Sequence, residues 1–309
     1  MDTGSIFSFI VALYASLTTC AVPPSDLPVQ QQEPTAVAAK QETQEPQEPA
    51  VPEVQLIYDP VATPKQPTVN AANVGYNDKK SWWFRRNADH LPPSAQDEIA
   101  IGNYDAYYLG DTQHKVIYLT FDEGYENGYT SKILDILKAN DVKAAFFVTK
   151  SYMEDQPELV KRMVAEGHIV GNHSVSHPNM SDLSNEQILA ELNGCAAYYK
   201  ELTGQEMPKY FRPPEGVYSI RSLKQTKAAG YKTIFWSFAY NDWDPKNQPG
   251  TKAAYDMVMN NYHNGSIMLL HAVSQSNTEA LDQMLKDLKA KGYVFQTLDQ
   301  LPPATSIGQ

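Results

Sequence analysis

Side chains that can ionise recur along this 309-residue chain directly after, or just beyond, short apolar runs. Seven of them share this placement: Asp122, Glu123, His173, His177, Arg212, Asp242 and His271. Carboxylates and imidazoles at neutral pH can move protons and bind metal ions. Any one of these residues could be a solvated or structural group. Their recurrence at the ends of successive predicted strands favours a catalytic site.

The pair His173 and His177 has the spacing H-x3-H. Two imidazoles four residues apart can bind one divalent metal such as Zn²⁺, although unrelated surface or core histidines would also explain the spacing. A carboxylate from Asp122 or Glu123 as third ligand would leave a position open for water, as in catalytic sites. A metal would also explain the adjacent carboxylates, because it neutralises one and leaves the other ionised as a base.

The elements that must position these groups are predicted from apolar periodicity. Strands are expected near 116–121, 143–149, 168–171, 210–211, 231–236, 266–271 and 293–297, and helices near 131–140, 157–166, 184–202, 219–229, 251–262 and 278–290. This alternation predicts an α/β fold, a distorted (β/α) barrel of about seven parallel strands. In such folds the active groups collect at the carboxyl ends of the strands.

The first 80 residues differ in composition from the rest. Residues 6–17 form an apolar run that is too short to span a bilayer comfortably and is typical of an export signal, here 1–20, although no Lys or Arg precedes it. Cys20 is a candidate for lipidation; an uncleaved anchor or a cleaved signal without lipid are the alternatives. Residues 21–80, rich in Pro, Glu and Gln, predict a disordered linker. We therefore expect an exported protein with a catalytic domain at 81–303 and a tail at 304–309.

The charge balance limits the choice of partners. With 36 acidic and 25 basic residues, the net charge is −11. This charge argues against a nucleic-acid partner and against a polybasic contact with a membrane. Membrane contact is expected only through the N-terminal signal or a lipid on Cys20. The two cysteines do not predict a disulfide framework, and we expect a monomer.

Five segments resemble, in order, the motifs of the polysaccharide deacetylases (NodB-homology, carbohydrate esterase family four). They are 120–124 (TFDEG), 173–178 (HSVSHP), 211–214 (FRPP), 242–243 (DW) and 269–271 (LLH). The string 120–130, together with 82–84 (WWF) and 104–110 (YDAYYLG), is most similar to the muramic-acid deacetylases of spore cortex, which act toward δ-lactam formation. The resemblance covers about residues 81–301.

The resemblance implies a role for each matching residue. Asp122 would be the general base and His271 the general acid, with Arg212 paired to Asp122 and Asp242 orienting His271. Glu123, His173 and His177 would hold a divalent metal, Zn²⁺ or else Mn²⁺ or Co²⁺. The implied substrate-binding residues are Trp243, Leu269, Pro214, Glu215 and Tyr125. Trp243 and Leu269 would enclose the acetyl methyl group, and a backbone N–H near Glu215 would help to hold the oxyanion.

Two departures leave the substrate and the metal open. Glu123 stands where the wider family has a second Asp, so its longer side chain would change the position of the metal. Glu215 stands where the muramic-acid group has an Arg that suits the lactyl carboxylate. The predicted function is N-deacetylation of muramic acid in peptidoglycan. The alternatives are deacetylation of N-acetylglucosamine in peptidoglycan or chitin-like oligomers, and non-catalytic binding of cell-wall glycan.

Overall fold

A single parallel sheet organises the residues described by the computed structural model, which are 75–86, 89–96 and 99–304. The predicted export signal, Cys20 and most of the predicted linker and tail lie outside these residues. All the described residues belong to one unit, 66–309. Within them, no helix combines the length and the apolar character needed to cross a membrane.

The strands and helices have the following bounds. The strands are β1 (Lys80–Ser81), β2 (Phe84–Arg85), β3 (Ser94–Ala95), β4 (Ala106–Tyr107), β5 (Val116–Glu123), β6 (Ala145–Val148), β7 (Ile169–Asn172), β8 (Tyr210–Phe211), β9 (Val217–Tyr218), β10 (Lys232–Ile234), β11 (Ser266–His271) and β12 (Val294–Phe295). The helices are α1 (Thr130–Ala139), α2 (Lys150–Asp155), α3 (Pro157–Ala165), α4 (Asn185–Thr203), α5 (Ile220–Ala228), α6 (Thr251–Met259) and α7 (Gln275–Ala290).

The main sheet has the order β11-β5-β6-β7-β8-β10-β4, and β12 pairs with β5. Every strand pairing in this sheet is parallel. Helices connect most successive strands, as parallel pairing requires. The predicted α/β fold, a distorted (β/α) barrel of about seven parallel strands, is therefore confirmed; the sheet is curled and partly open.

Strand β5 shows why the sheet buries both of its faces. Its side chains alternate between two cores. Ile117, Leu119 and Phe121 pack among residues of the helical layer. Val116 and Tyr118 belong to the cluster on the opposite face, inside the curl of the sheet. This alternation sends consecutive side chains at the end of β5 in opposite directions.

The structured domain begins earlier than the sequence predicts. Residues 75–80 were assigned to the linker, yet the carbonyl of Tyr76 accepts a hydrogen bond from the Arg221 N–H at 2.9 Å. Lys80 pairs with Tyr218 where β1 joins β9 in an antiparallel ribbon. Composition misassigned this segment because its contacts are with residues far along the chain.

Six of these strands and helices were not predicted, namely β1, β2, β3, β4, β9 and α2. Helix α2 is short and begins after Thr149, whose hydroxyl accepts a hydrogen bond from the Tyr152 N–H. Strand β4 has only two residues and pairs with β10 at the edge of the sheet. Elements this short carry too little periodicity to be read from the sequence.

Candidate active site

The end of β5 places Asp122 next to a buried arginine. Arg212 follows β8, and its Nη1 donates a hydrogen bond of 2.8 Å to the Asp122 Oδ1. The guanidinium is fully buried and lies 4.2 Å above the Phe147 ring, and its Nε donates to the Ile234 carbonyl at 3.0 Å. Arg212 is thus fixed from three sides, and it fixes Asp122 in turn.

The surroundings of Asp122 keep its carboxyl group ionised. Burial alone would raise the pKa of Asp122, but the charge of Arg212, assisted by His173 and His271, lowers it below the ordinary value. The side chain keeps 10% of its surface exposed, and it faces a cavity. An ionised carboxylate at a cavity wall can accept a proton from water.

His271, at the end of β11, is held by Asp242. The Nδ1–H of His271 donates to the Asp242 Oδ1 at 2.7 Å, and the backbone N–H of His271 donates to Oδ2 at 2.8 Å. Asn277 also donates to this carboxylate. Burial would lower the pKa of His271, but the hydrogen bond and charge of Asp242 raise it above the ordinary value. The imidazole therefore lines the cavity as a candidate proton donor.

His173 and His177 lie on a constrained loop after β7. The Nδ1–H of His173 donates to the Arg212 carbonyl at 2.8 Å, which leaves Nε2 unprotonated, 3.7 Å from the Asp122 Oδ2. Burial lowers the pKa of His173 to about 4, so the ring is neutral. The two imidazole rings are 4.8 Å apart. Ser174 and His177 both have left-handed backbone conformations, with φ of 74° and 56°.

Helix α4 holds this loop in place. The carboxylate of Glu191 accepts hydrogen bonds from the backbone N–H groups of Val175 and Ser176 at 2.8 and 3.0 Å. Left-handed residues other than glycine are retained only where their surroundings enforce them. The loop is therefore shaped by a neighbouring helix and by its own residues together.

Glu123 does not reach the histidine pair, which corrects its prediction as a metal ligand. Side chains alternate along a strand, so Glu123 lies on the helical side of β5 when Asp122 faces the cavity. Both of its carboxylate oxygens are buried, and neither has a hydrogen-bond partner among the described residues. Burial, followed by the charges of Glu126 and Asp122, raises its pKa well above the ordinary value. Glu123 is therefore a buried carboxyl group whose surroundings favour the protonated form.

The fit to a metal is accordingly partial. The two imidazoles suit a divalent cation, since the Nδ1–H of His173 is engaged by a carbonyl, as metal-ligating histidines usually are. Among the described residues, however, no three His, Cys, Asp or Glu side chains are grouped as a metal site. The predicted third ligand is the part that does not fit.

The cavity has a volume of about 910 Å³. It is lined by four of the five predicted substrate-binding residues, Trp243, Leu269, Glu215 and Tyr125. Trp243 and Tyr125 are more than half exposed at its rim. The prediction for Pro214 is wrong, because this residue is buried in the 3-10 turn Pro214–Gly216 and does not line the cavity. The turn instead presents Glu215.

Two further residues around the cavity were missed. Arg86, just after β2, lines the wall. Asn277, at the start of α7, donates to Asp242 and accepts a hydrogen bond from the Tyr240 hydroxyl. Neither residue lies in a recognisable motif. Only the tertiary packing brings them to the ends of the sheet.

Known proteins of similar sequence and structure share this arrangement of elements. Residues 109–234 match the family model described as Polysaccharide deacetylase. The chain is 49% identical over 227 residues to the peptidoglycan-N-acetylmuramic acid deacetylase PdaA of Bacillus subtilis (strain 168), which covers 73% of this chain and 86% of that protein. The structure of PdaA, a family 4 carbohydrate esterase, superposes with a TM-score of 0.71 and covers 73% of this chain and 97% of that one.

Two more distant similarities extend the same pattern. A family 4 carbohydrate esterase from Bacillus anthracis is 44% identical, with a TM-score of 0.60, over 73% of this chain and 96% of that one. A peptidoglycan-N-acetylglucosamine deacetylase of Bacillus cereus (strain ATCC 14579) is 33% identical over 190 residues, which are 60% of this chain and 88% of that protein.

Proposed function

Because this chain belongs to the polysaccharide deacetylase family, we propose that it hydrolyses the N-acetyl group of muramic acid in peptidoglycan. One observation carries the proposal. An ionised carboxylate, Asp122, and an imidazole with a raised pKa, His271, line the same cavity. A base and an acid on one cavity are what the hydrolysis of an amide requires.

The first step assigned to the chain is the activation of water. Asp122 accepts a proton from a water molecule while the water oxygen forms a bond to the acetyl carbonyl carbon. Arg212 positions Asp122 and keeps it ionised, which is supported by the 2.8 Å hydrogen bond between them. Leu269 and Trp243 at the cavity wall suit the apolar methyl group.

The second step is the departure of the sugar amine. The bond between the carbonyl carbon and the nitrogen breaks as His271 donates a proton to that nitrogen. The products are acetate and a free amino sugar. Asp242 positions His271, and its hydrogen bond to Nδ1 directs Nε2 as the proton-donating nitrogen.

A divalent metal is proposed to bind at His173 and His177. When bound there, it would supply Lewis-acid polarisation of the acetyl oxygen. The identity of the metal, Zn²⁺ in our prediction, is testable by metal analysis of the purified protein. The ring centroids of His173 and His177 are 4.8 Å apart, which supports the two residues as ligands of one metal ion.

The substrate assignment rests on the similarity to PdaA across most of the domain. Muramic acid whose stem peptide has been removed carries a free lactyl carboxylate. After deacetylation the same sugar also carries a free amine, and these are the two groups that a δ-lactam joins. We therefore propose a role toward muramic δ-lactam, outside the cytoplasm, where peptidoglycan is exposed.

The test uses the full chain and purified peptidoglycan, with and without prior removal of stem peptides by an amidase. Mass spectrometry should show loss of acetyl groups from muramic acid in the amidase-treated material. Asp122→Asn should lower this turnover by about two to four orders of magnitude. A wild-type protein that releases no acetate from any glycan, while still binding it, would instead be a glycan-binding protein.

One observation favours N-acetylglucosamine as the second candidate substrate. Glu215 and Asp244 line the cavity, and both would repel a lactyl carboxylate near them. Chitin oligomers lack that carboxylate. Faster release of acetate from these oligomers than from amidase-treated peptidoglycan would favour this alternative.

A further inference from the structure

Arg86 is a cation on the wall of the cavity for which the proposed chemistry has no use. Of the described residues, it is the only Lys or Arg among those lining the cavity. It lies just after β2, at the end of the described segment 75–86, which packs onto the domain. Both Arg86 and its neighbour Arg85 are exposed, but Arg85 does not line the cavity.

The guanidinium of Arg86 is anchored from one side. Its Nη2 donates to the carbonyl of Ala239, and the group lies 5.5 Å above the Phe84 ring and 5.9 Å above the Phe238 ring. Ala239 also lines the cavity, and the carbonyl of Phe238 accepts the N–H of Leu269 at 2.8 Å. The anchor therefore belongs to the segment that lies against β11, the strand that carries His271.

The guanidinium of Arg86 has no ion-pair partner among the described residues. No acidic side chain of the described residues lies within 4.0 Å of it. The carboxylate of Asp122 is already paired with Arg212. A guanidinium has five N–H donors and matches a carboxylate with two parallel hydrogen bonds. An anionic group of a ligand is the natural partner for the donors that Ala239 does not use.

We propose that Arg86 binds the lactyl carboxylate of muramic acid and thereby selects muramic acid without a stem peptide over N-acetylglucosamine. This inference rests on the proposed function. It also offers a reason why Glu215 can stand in place of the Arg of the muramic-acid group, because the cation comes from another part of the chain.

The experiment compares two ligands and two matched variants. The ligands are the disaccharide of N-acetylglucosamine and N-acetylmuramic acid, and the same disaccharide with the lactyl carboxylate converted to an amide. Binding is measured by calorimetry with the full chain carrying Asp122→Asn, so that no turnover interferes. Arg86→Gln and the control Arg85→Gln are added to this background.

The Asp122→Asn protein with Arg86 intact, here the parent, should bind the disaccharide with the free carboxylate (the acid) at least about tenfold more tightly than the amide. The amide lacks the negative charge that would accept hydrogen bonds from the guanidinium. Arg86→Gln should bind both ligands with the same affinity, and Arg85→Gln should behave as the parent. An Arg86→Gln protein that retains the preference for the acid would overturn the proposal, as would a parent that has no preference. If Arg86→Gln does not fold, Arg86→Met and Arg86→Lys replace it, and only Lys should keep part of the preference.

Turnover separates this inference from the proposed function. If wild-type protein deacetylates muramic acid and Arg86→Gln has an unchanged KM, the role of Arg86 is refuted and the function stands. If wild-type protein deacetylates no muramic acid, the function fails, and the binding comparison still decides whether Arg86 recognises the carboxylate.

Discussion

At the scale of single residues, the two groups of the site that face the cavity have different partners, which shift their pKa values in different directions. Asp122 and His271 face one cavity, yet Arg212 lowers the pKa of the first and Asp242 raises that of the second. Neither partner lines the cavity. The proposed chemistry therefore depends on two positioning residues, Arg212 and Asp242, that are buried behind Asp122 and His271.

Replacing Asp242 tests this dependence through pH. Activity that needs protonated His271 is lost as pH rises through its pKa, which lies above 6.5 in the folded protein. In Asp242→Asn the charge that raises the pKa is gone and burial remains, so the alkaline limb of kcat/KM should move to lower pH. The measurement is a pH profile of acetate release. If the alkaline limb of Asp242→Asn lies at the same pH as in the wild type, the assignment of His271 as the acid is contradicted.

Glu123→Gln tests the correction made at β5. The folded-state pKa of Glu123 is raised, so above about pH 4.5 the unfolded chain loses a proton that the folded protein keeps. Wild-type stability therefore falls as pH rises through this range, and that fall should be smaller in Glu123→Gln. Denaturant unfolding at pH 5 and pH 8 measures the difference.

The same variant also separates a buried acid from a metal ligand. Zinc affinity, measured by calorimetry, should be unchanged within a few-fold in Glu123→Gln, while His177→Ala should lose most of it. A large loss in Glu123→Gln would restore Glu123 as a ligand.

At the scale of elements, α4 shapes the loop of His173 and His177. Glu191→Ala removes the acceptor of the Val175 and Ser176 N–H groups, so these amides should exchange their hydrogens faster and kcat/KM should fall. Ser184→Ala is the matched control on the same helix. It removes the N-cap of α4 and should cost about 1 kcal/mol of stability without changing exchange in the loop. Equal exchange in Glu191→Ala and wild type would contradict the role of Glu191.

The elements also show how far sequence patterns reach. The alternation of apolar runs predicted the parallel sheet, and the polar residues at strand ends predicted Asp122, His173, Arg212 and His271 as neighbours. The direction of Glu123 was missed because a motif gives positions, whereas the pleat of β5 decides which face each side chain takes. Arg86 could not be placed, because long-range packing alone brings β2 to the cavity.

At the scale of the whole molecule, the segment 75–86 belongs to the same unit as the sheet. Trp82 stacks on Phe235 with ring centroids 4.5 Å apart, and its Nε1–H donates to the Trp236 carbonyl at 2.8 Å. This packing also carries the chain toward Arg86. The segment therefore joins the fold of the sheet to the wall of the cavity.

Two adjacent tryptophans provide the test of this packing. Trp82→Ala should destabilise the protein by roughly 3–5 kcal/mol, because it empties a buried site. Trp83 is 46% exposed, so Trp83→Ala should cost about 1 kcal/mol or less. Denaturant unfolding of both variants gives the comparison. A loss in Trp82→Ala as small as that expected for Trp83→Ala would show that Trp82 does not contribute to the core.

The measurement that bears most directly on the central claim is mass spectrometry of peptidoglycan treated with the full chain, before and after amidase removal of stem peptides. Muramic acid in the amidase-treated sample should lose roughly 42 mass units, because hydrogen replaces one acetyl group. This loss should not occur when the Asp122→Asn variant is used. Deacetylation confined to N-acetylglucosamine, or equal deacetylation by wild type and Asp122→Asn, would contradict the account.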